Sequence, residues 1–261
     1  MKNKERLVRY YQGTDNGALA ARLIELAEYV CKGRPYAISD FVSPGAVQIG
    51  ETICAQDTDV HLQCDGGYEG AERVRMAFVR NGYEGAVDFS IRACRLVWDS
   101  RYRLLTHRDV LGSLMGLGVE RAKFGDIIMA EDGAVLLLDA NMESYVQQHL
   151  QKVSIVTVQI APYDLKEIAP RQKKVKEIKT TVASLRLDAI VASGFGISRT
   201  KAAAAIKGER VQLNWQPIKS SSREVRVGDC ISFRGKGKME VGEITGISRK
   251  GRTGVLLKRY I

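Results

Sequence analysis

The chain has 261 residues, of which 45% are hydrophobic and 27% are charged. These fractions are typical of a folded protein and exclude a wholly disordered or fibrous one. No run approaches the roughly 18 apolar residues of a membrane helix, so we expect no membrane partner. The first twelve residues are polar, without the apolar stretch of a secretion signal, which favours a cytoplasmic protein.

The five cysteines form neither a disulfide framework nor a zinc site. They are odd in number and widely spaced, and no Cys-x-x-Cys pair occurs. The Gly-x-x-x-x-Gly-Lys-Ser/Thr sequence of nucleotide hydrolases is also missing. We therefore expect reduced thiols, no metal and no cofactor.

Residues 1–57 are predicted to be a mainly helical region, because apolar residues from Leu19 to Val30 recur at helical spacing. Residues 58–165 are predicted to alternate short strands and helices. The expected strands are 60–63, 86–91, 126–129, 135–138 and 155–160, and the expected helices are 71–80, 108–117 and 143–150. Asp132-Gly133 predicts a hairpin turn between two of these strands. The pattern favours a ferredoxin-like α/β sandwich.

The positive charge of the chain is concentrated in its last third. Residues 166–261 contain 22 Lys and Arg against 8 Asp and Glu, a net charge of +14, whereas residues 1–165 carry −4. Residues 166–181 are predicted to be a basic linker, with Arg171, Lys173, Lys174, Lys176 and Lys179. Residues 182–261 are predicted to be a separate domain of two short helices, 184–192 and 198–207, followed by β-strands. The expected fold class is thus α+β and multidomain.

A domain this basic is expected to bind a polyanion by neutralising phosphates. The helix 198–207 carries mostly alanine opposite its charges, which favours nucleic acid over a membrane surface. Ser198 is the expected N-cap of this helix and Gly208 its C-cap. Arg199 and Lys201 are expected to point outward.

Residues 182–233 resemble the S4-like RNA-binding domain. The matching residues are Arg186-Leu187-Asp188, Ser198-Arg199-Thr200, Ala202, Ile206-Lys207-Gly208, Val211, Leu213-Asn214 and Val227-Gly228-Asp229. The resemblance implies that RNA lies across the two helices and the following loop. The RNA-binding residues that it implies are Arg186, Ser198, Arg199, Thr200, Lys201, Lys207 and Arg210. The family commonly has glycine where this chain has Trp215, which leaves the geometry of that turn and the role of Trp215 open.

The whole chain resembles the YlmH family of bacterial proteins. The further matching segments are residues 67–73, 106–112 and 124–128. This resemblance implies that the central module, residues 58–165, is similar to an RNA recognition motif. It also implies a ribosome-associated factor that binds RNA of the large subunit, with tRNA nearby. We expect its mechanism to be non-catalytic. The resemblance also implies a link to the rescue of stalled nascent chains. We expect a monomer with ribosomal RNA as its main partner.

Two other functions stay open at this point. An RNA-modifying enzyme, such as a pseudouridine-synthase-like protein, would use the basic domain to deliver substrate, and His107, Asp109 or Asp126 would line its pocket. An adaptor would instead bind a protein partner. His107-Arg108-Asp109 imitates a kinase motif, but we interpret it as a helix start capped by Asp109. Arg186-Leu187-Asp188 imitates a synthase motif, but it lies in the basic domain itself.

Tyr83 and Phe89 lie in a stretch that loosely resembles the aromatic-rich strand of RNA recognition motifs. That stretch has an extra residue and is not basic. We therefore expect both aromatic rings to pack in a core rather than to stack on RNA bases.

Overall fold

The computed structural model describes residues 4–11, 16–57, 59–99, 101, 104–170, 175–248 and 251–260. These residues belong to two compact units, residues 1–171 and residues 172–261. Helices and antiparallel sheets occur in both units, which confirms the α+β, multidomain class.

The first module of unit 1 consists of three helices and a three-stranded antiparallel sheet. Its elements are α1 (Lys4–Tyr11), α2 (Gly17–Cys31), β1 (Tyr36–Val42), α3 (Pro44–Ala55), β2 (Val60–Asp65) and β3 (Val74–Arg80). The strand order is β1-β3-β2. The periodic residues of α2, including Leu23, Ala27 and Val30, are buried in the core of this module. The helix predicted from their spacing is confirmed.

The helix predicted at residues 71–80 is wrong, because Val74–Arg80 forms β3. This strand lies between β1 and β2, and residues 75–79 are all buried. A strand covered on both faces loses the alternation of apolar and polar residues, so its pattern does not differ from that of a buried helix. The division after residue 57 also differs from the structure, because β2 and β3 pair in one sheet with β1.

The second module of unit 1 has the ferredoxin-like order of elements. These are β4 (Ile91–Val97), α4 (His107–Gly116), β5 (Phe124–Ala130), β6 (Gly133–Asp139), α5 (Glu143–His149), β7 (Lys152–Val153), β8 (Val156–Thr157) and β9 (Gln159–Tyr163). The sheet order is β5-β6-β4-β9, and every neighbouring pair is antiparallel. The helices α4 and α5 and the β5–β6 hairpin lie where the sequence predicts them.

The strand predicted at residues 86–91 is wrong, since the sheet begins only at Ile91. The preceding residues form a turn in which the Asp88 carboxylate accepts a hydrogen bond from the Ser90 N–H at 2.7 Å. Ser90 has a φ of 50°. This local turn competes with extended pairing, which explains the late start of β4.

Both faces of the β5-β6-β4-β9 sheet carry a hydrophobic core. Cys94, Leu96, Leu136 and Leu138 pack on one side with α4 and α5. On the other side, Ile91, Ala93, Val135 and Leu137 pack against Phe41 of the first module. All seven residues of β6 are therefore buried.

Asp126 joins the two modules of unit 1. Its carboxylate is 8% exposed and accepts hydrogen bonds from the Tyr68 hydroxyl at 2.9 Å and from the backbone N–H groups of Glu72 and Arg73 at 2.7 and 3.1 Å. The Arg73 guanidinium donates to the carbonyls of Phe124 and Phe41. Burial, together with the nearby Arg121 cation, lowers the pKa of Arg73 to about 10.

Unit 2 places two helices on a six-stranded antiparallel sheet. Its elements are β10 (Val175–Val182), α6 (Leu187–Phe195), α7 (Arg199–Lys207), β11 (Val211–Leu213), β12 (Gln216–Pro217), β13 (Cys230–Phe233), β14 (Gly237–Ile247) and β15 (Thr253–Tyr260). The strand order is β10-β15-β14-β13-β11-β12. The core contains Ile190, Phe195, Ile206 and Leu257.

Part of the predicted basic linker is a strand. Residues 175–182 form β10 and pair with β15 in a continuous register from Val175 to Val182. The strand escapes prediction because it is an edge strand with exposed charges, and only Ile178 and Val182 pack on the core. Arg171, Lys173 and Lys174 lie outside the described residues.

The five cysteines are free. Burial raises the pKa of the Cys54 and Cys94 thiols to about 11, so both are protonated near neutral pH. Within the described ranges, no group of three or more His, Cys, Asp and Glu side chains is arranged to hold a metal ion. No helix there is long and apolar enough to cross a lipid bilayer.

Asp126→Ala is expected to lower the free energy of unfolding by roughly 2–4 kcal/mol, because three donors lose their acceptor in a buried site. Urea denaturation measures this change. Asp132→Asn is the control, since Asp132 pairs with Arg95 at the surface and its loss is expected to cost at most about 1 kcal/mol. An Asp126→Ala protein as stable as the control would contradict the joining role of Asp126.

Candidate RNA-binding surface

Local sequence signals determine where α6 ends and where α7 begins and ends in unit 2. Gly196 ends α6 in the left-handed conformation, with a φ of 65°. The Ser198 hydroxyl then caps α7 by accepting a hydrogen bond from the Lys201 N–H at 3.2 Å. Gly208 is the C-cap of α7, although the left-handed residue is the following Glu209, with a φ of 53°. The predicted N-cap and C-cap are both found.

The helix α7 has a small buried face and a cationic exposed face. Ala202, Ala205 and Ile206 are buried against the core. The exposed residues that the sequence predicts to bind RNA are Ser198, Arg199, Thr200, Lys201, Lys207 and Arg210. Alanines on the buried face of α7 let it lie close to α6. The exposed face of α7 therefore presents cations and hydroxyl groups on a rigid support.

Asp188 brings two of the predicted RNA-binding residues together. Its carboxylate is only 5% exposed. Arg186 donates to it from Nε and Nη2 at 3.2 and 3.1 Å, and Arg199 contacts it through Nη2 and Nε, both at 3.2 Å. Each arginine therefore uses two nitrogens on one carboxylate, which fixes the plane of its guanidinium group.

The charge of Asp188 is stabilised by its partners. Burial acts to raise the pKa of the carboxyl group, but hydrogen bonds from Arg186 and Arg199 outweigh it, so the pKa lies below its ordinary value. Half of the Arg199 side chain stays exposed, at 53%. Its remaining N–H groups are therefore available to a phosphate while the carboxylate holds its orientation.

Arg210 is one of the residues that line a small recess in unit 2. Its guanidinium lies 5.6 Å from the centre of the Phe233 ring. A recess of about 170 Å³ is lined by Glu209, Arg210, Gln212, Ser232, Phe233 and Arg234. Arg234 is exposed and was not predicted from the sequence, because the resemblance covers only residues up to 233. It adds a second cation to the recess.

The turn that departs from the family pattern is a two-residue hairpin between β11 and β12. Asn214 and Trp215 both have positive φ values, 49° and 60°. The Asn214 amide donates to the Asp229 carboxylate at 2.9 Å, and its oxygen accepts from the Cys230 N–H at 2.8 Å. Trp215 therefore adopts the conformation that glycine would have, at a cost of roughly 1–2 kcal/mol.

The three residues considered for an enzyme are not all available for chemistry. Asp109 and Thr106 form a reciprocal cap at the start of α4, as the interpretation of that motif requires. Asp126 in the second module of unit 1 accepts hydrogen bonds from the first module. His107 is exposed at the beginning of α4. The carboxylates of Asp109 and Asp126 therefore have structural partners.

Tyr83 and Phe89 both lie against other residues of unit 1. Phe89 packs on the sheet face that also buries Phe41, as expected for a core residue. The Tyr83 ring lies 5.7 Å from the Tyr36 ring. In an RNA recognition motif this sheet face stacks on bases, whereas here Phe41 and Tyr68 of the first module pack on it.

Comparisons with known proteins agree with this division of the chain. Residues 15–83 match the family model "YlmH, N-terminal", residues 85–167 match "Putative RNA-binding domain in YlmH", and residues 185–231 match "S4 domain". The Ribosome-associated protein quality control protein P2 of Bacillus subtilis (strain 168) is 31% identical over 246 residues, which cover 94% of this chain and 95% of the relative. The chain belongs to the YlmH family.

A solved structure supports part of the fold. The Cell division protein ylmH from Streptococcus pneumoniae matches with a TM-score of 0.51 and 20% identity, over 59% of this chain and 94% of that one. The family models also place the boundary between the two modules of unit 1 near residue 84, after β3. The S4 match runs from α6 to the first residues of β13, so β10, β14 and β15 extend the sheet beyond it.

Asp188→Asn is expected to lower the free energy of unfolding at pH 7 by about 1–2 kcal/mol, because the charged acceptor of two arginines is lost. The folded-state pKa of Asp188 lies below the ordinary value near 3.9, so its contribution is complete above that pH and disappears as the pH falls through the folded-state pKa. The stability of both proteins is measured by urea denaturation between pH 2 and pH 7. A difference between them that does not shrink at acid pH would contradict the charged bridge.

Proposed function

We propose that this protein is a non-catalytic RNA-binding protein that associates with the ribosome in the bacterial cytoplasm. Its main ligand is ribosomal RNA of the large subunit, with tRNA as a neighbouring ligand, and its role lies in ribosome-associated quality control of stalled nascent chains. It acts as a monomer. The observation that carries the proposal is the exposed cationic face of α7, with Arg199 oriented by Asp188.

The mechanism that we propose is neutralisation and positioning of RNA phosphates. Arg199, Lys201, Lys207 and Arg210 are exposed and contribute positive charge, which attracts RNA through release of counterions. The Thr200 hydroxyl and the fixed guanidinium groups of Arg186 and Arg199 add directional contacts to the backbone. Such contacts read the shape of a folded RNA more than its sequence.

The family relationship supports the ribosome as the site of action. The matched Bacillus subtilis relative carries ribosome association and quality control in its name, and the alignment covers nearly the whole of both chains. The S4 match contains the residues of α6 and α7 that carry the cationic face. Catalysis is not part of the proposal, since Asp109 and Asp126 serve the fold of unit 1.

The double variant Arg199→Ala/Lys201→Ala is expected to weaken binding to RNA of any sequence. The slope of log affinity against log salt concentration is expected to fall by the equivalent of about two phosphate contacts. Sedimentation of tagged protein through a salt-controlled gradient, with the ribosomal subunits separated, should place the unmodified protein with the large subunit. The double variant is expected to move to the light fractions.

Lys152→Ala/Lys166→Ala is the matched control. Both lysines are exposed in unit 1, so this variant loses the same charge and leaves α7 unchanged. It is expected to stay with the large subunit. If the unmodified protein remains in the light fractions at low salt, the proposed ribosome association is wrong. If the α7 variant and the control behave alike, the assignment of the RNA contact to α7 is wrong.

A further inference from the structure

Trp215 occupies a turn position that favours glycine. It follows Asn214 in the β11–β12 hairpin, and its φ of 60° is one that residues with side chains rarely adopt. Two-residue hairpins of this kind strongly prefer Asn-Gly. Strained backbone conformations of this kind concentrate at functional sites, which makes Trp215 a candidate ligand contact.

The indole ring of Trp215 is partly exposed. Among the residues that the structure describes, no hydrogen bond to the indole and no ring or cation contact with it is found. Trp98, in contrast, is 7% exposed and packs in the core of the second module. The indole N–H thus has no acceptor among the described residues, and the exposed part of the ring is open to a ligand.

The Asp229 carboxylate holds the Trp215 turn rigidly to the turn at residues 226–229. One oxygen accepts from the Asn214 amide at 2.9 Å, and the other accepts from the Arg226 N–H at 2.7 Å. The Asn214 N–H also donates to the Cys230 carbonyl at 2.7 Å. Two neighbouring turns are therefore fixed together, one carrying Trp215 and the other the exposed Arg226.

We propose that Trp215 stacks on an unpaired RNA base and that Arg226 contacts the phosphate beside it. The chemistry fits, because indole rings stack on bases of any sequence and a guanidinium binds the adjoining phosphate. RNA is favoured over a protein partner because the S4 match includes both turns and the unit is strongly basic. This inference rests on the proposed function, to which it adds a base contact outside α7.

Two RNA probes separate stacking from charge neutralisation. One is a hairpin with a loop of unpaired uridines, and the other is a blunt duplex with the same stem sequence. Trp215→Gly is expected to bind the hairpin about tenfold or more weakly, with an unchanged salt dependence, and to bind the duplex as the unmodified protein does. Trp215→Phe, which retains an aromatic ring, is expected to recover most of the affinity for the hairpin.

Glycine suits the turn at position 215, so the Trp215→Gly protein is expected to fold, and circular dichroism checks this. Tryptophan fluorescence gives a second readout. Titration with the hairpin is expected to quench the emission of the unmodified protein but not that of Trp215→Phe, which keeps only Trp98. Equal hairpin affinity for the unmodified protein and Trp215→Gly would overturn the proposal, as would equal losses on the hairpin and the duplex.

The same assays distinguish this inference from the proposed function. If Arg199→Ala/Lys201→Ala weakens binding of both probes while Trp215→Gly weakens neither, only the stacking contact is wrong. If the α7 double variant weakens neither probe, the proposed RNA contact of α7 is wrong, whatever the result for Trp215.

Discussion

The carboxylate of Asp188 determines how the cationic surface of unit 2 is built. It lies in the first turn of α6, almost fully buried, and holds the guanidinium groups of Arg186 and Arg199 by two nitrogens each. Arg199 belongs to α7, so a single carboxylate connects the two helices at the surface while the alanines and Ile206 connect them in the core. An acidic residue thereby makes a basic surface more ordered, because it converts two flexible cations into fixed ones.

Local signals in the sequence were sufficient to predict the helices whose N-caps lie in the same short segment. The helix α4 begins at the reciprocal bonds of Thr106 and Asp109, and α7 begins at Ser198. Each depends on residues within four positions, so the sequence alone specifies them. The β5–β6 hairpin is equally local, since its turn lies at Asp132-Gly133.

Strands that depend on partners far away in sequence could not be predicted from local signals. The sequence of β3 resembles that of a helix because residues 75–79 on both of its faces are buried. The sequence of β10 resembles that of a linker because its partner β15 is far away in sequence. The same holds for the surface. The cations of α7 follow from charge and resemblance, whereas the bridge from Asp188 to Arg199 and the turn that ties Asn214 to Asp229 depend on folding.

The pairing of β10 with β15 also governs when unit 2 can be completed during synthesis. β10 is the first strand of the unit to leave the ribosome, yet its only partner in the sheet is the last strand that the structure describes. β15 also pairs with β14, so it fills the gap between two strands made earlier. Until β15 emerges, the backbone groups of β10 have no sheet partner and the core around Ile178 and Val182 is open. The sheet of the unit therefore cannot be completed before β15 is made, and a shortened chain without β15 would leave two strand edges exposed to aggregation.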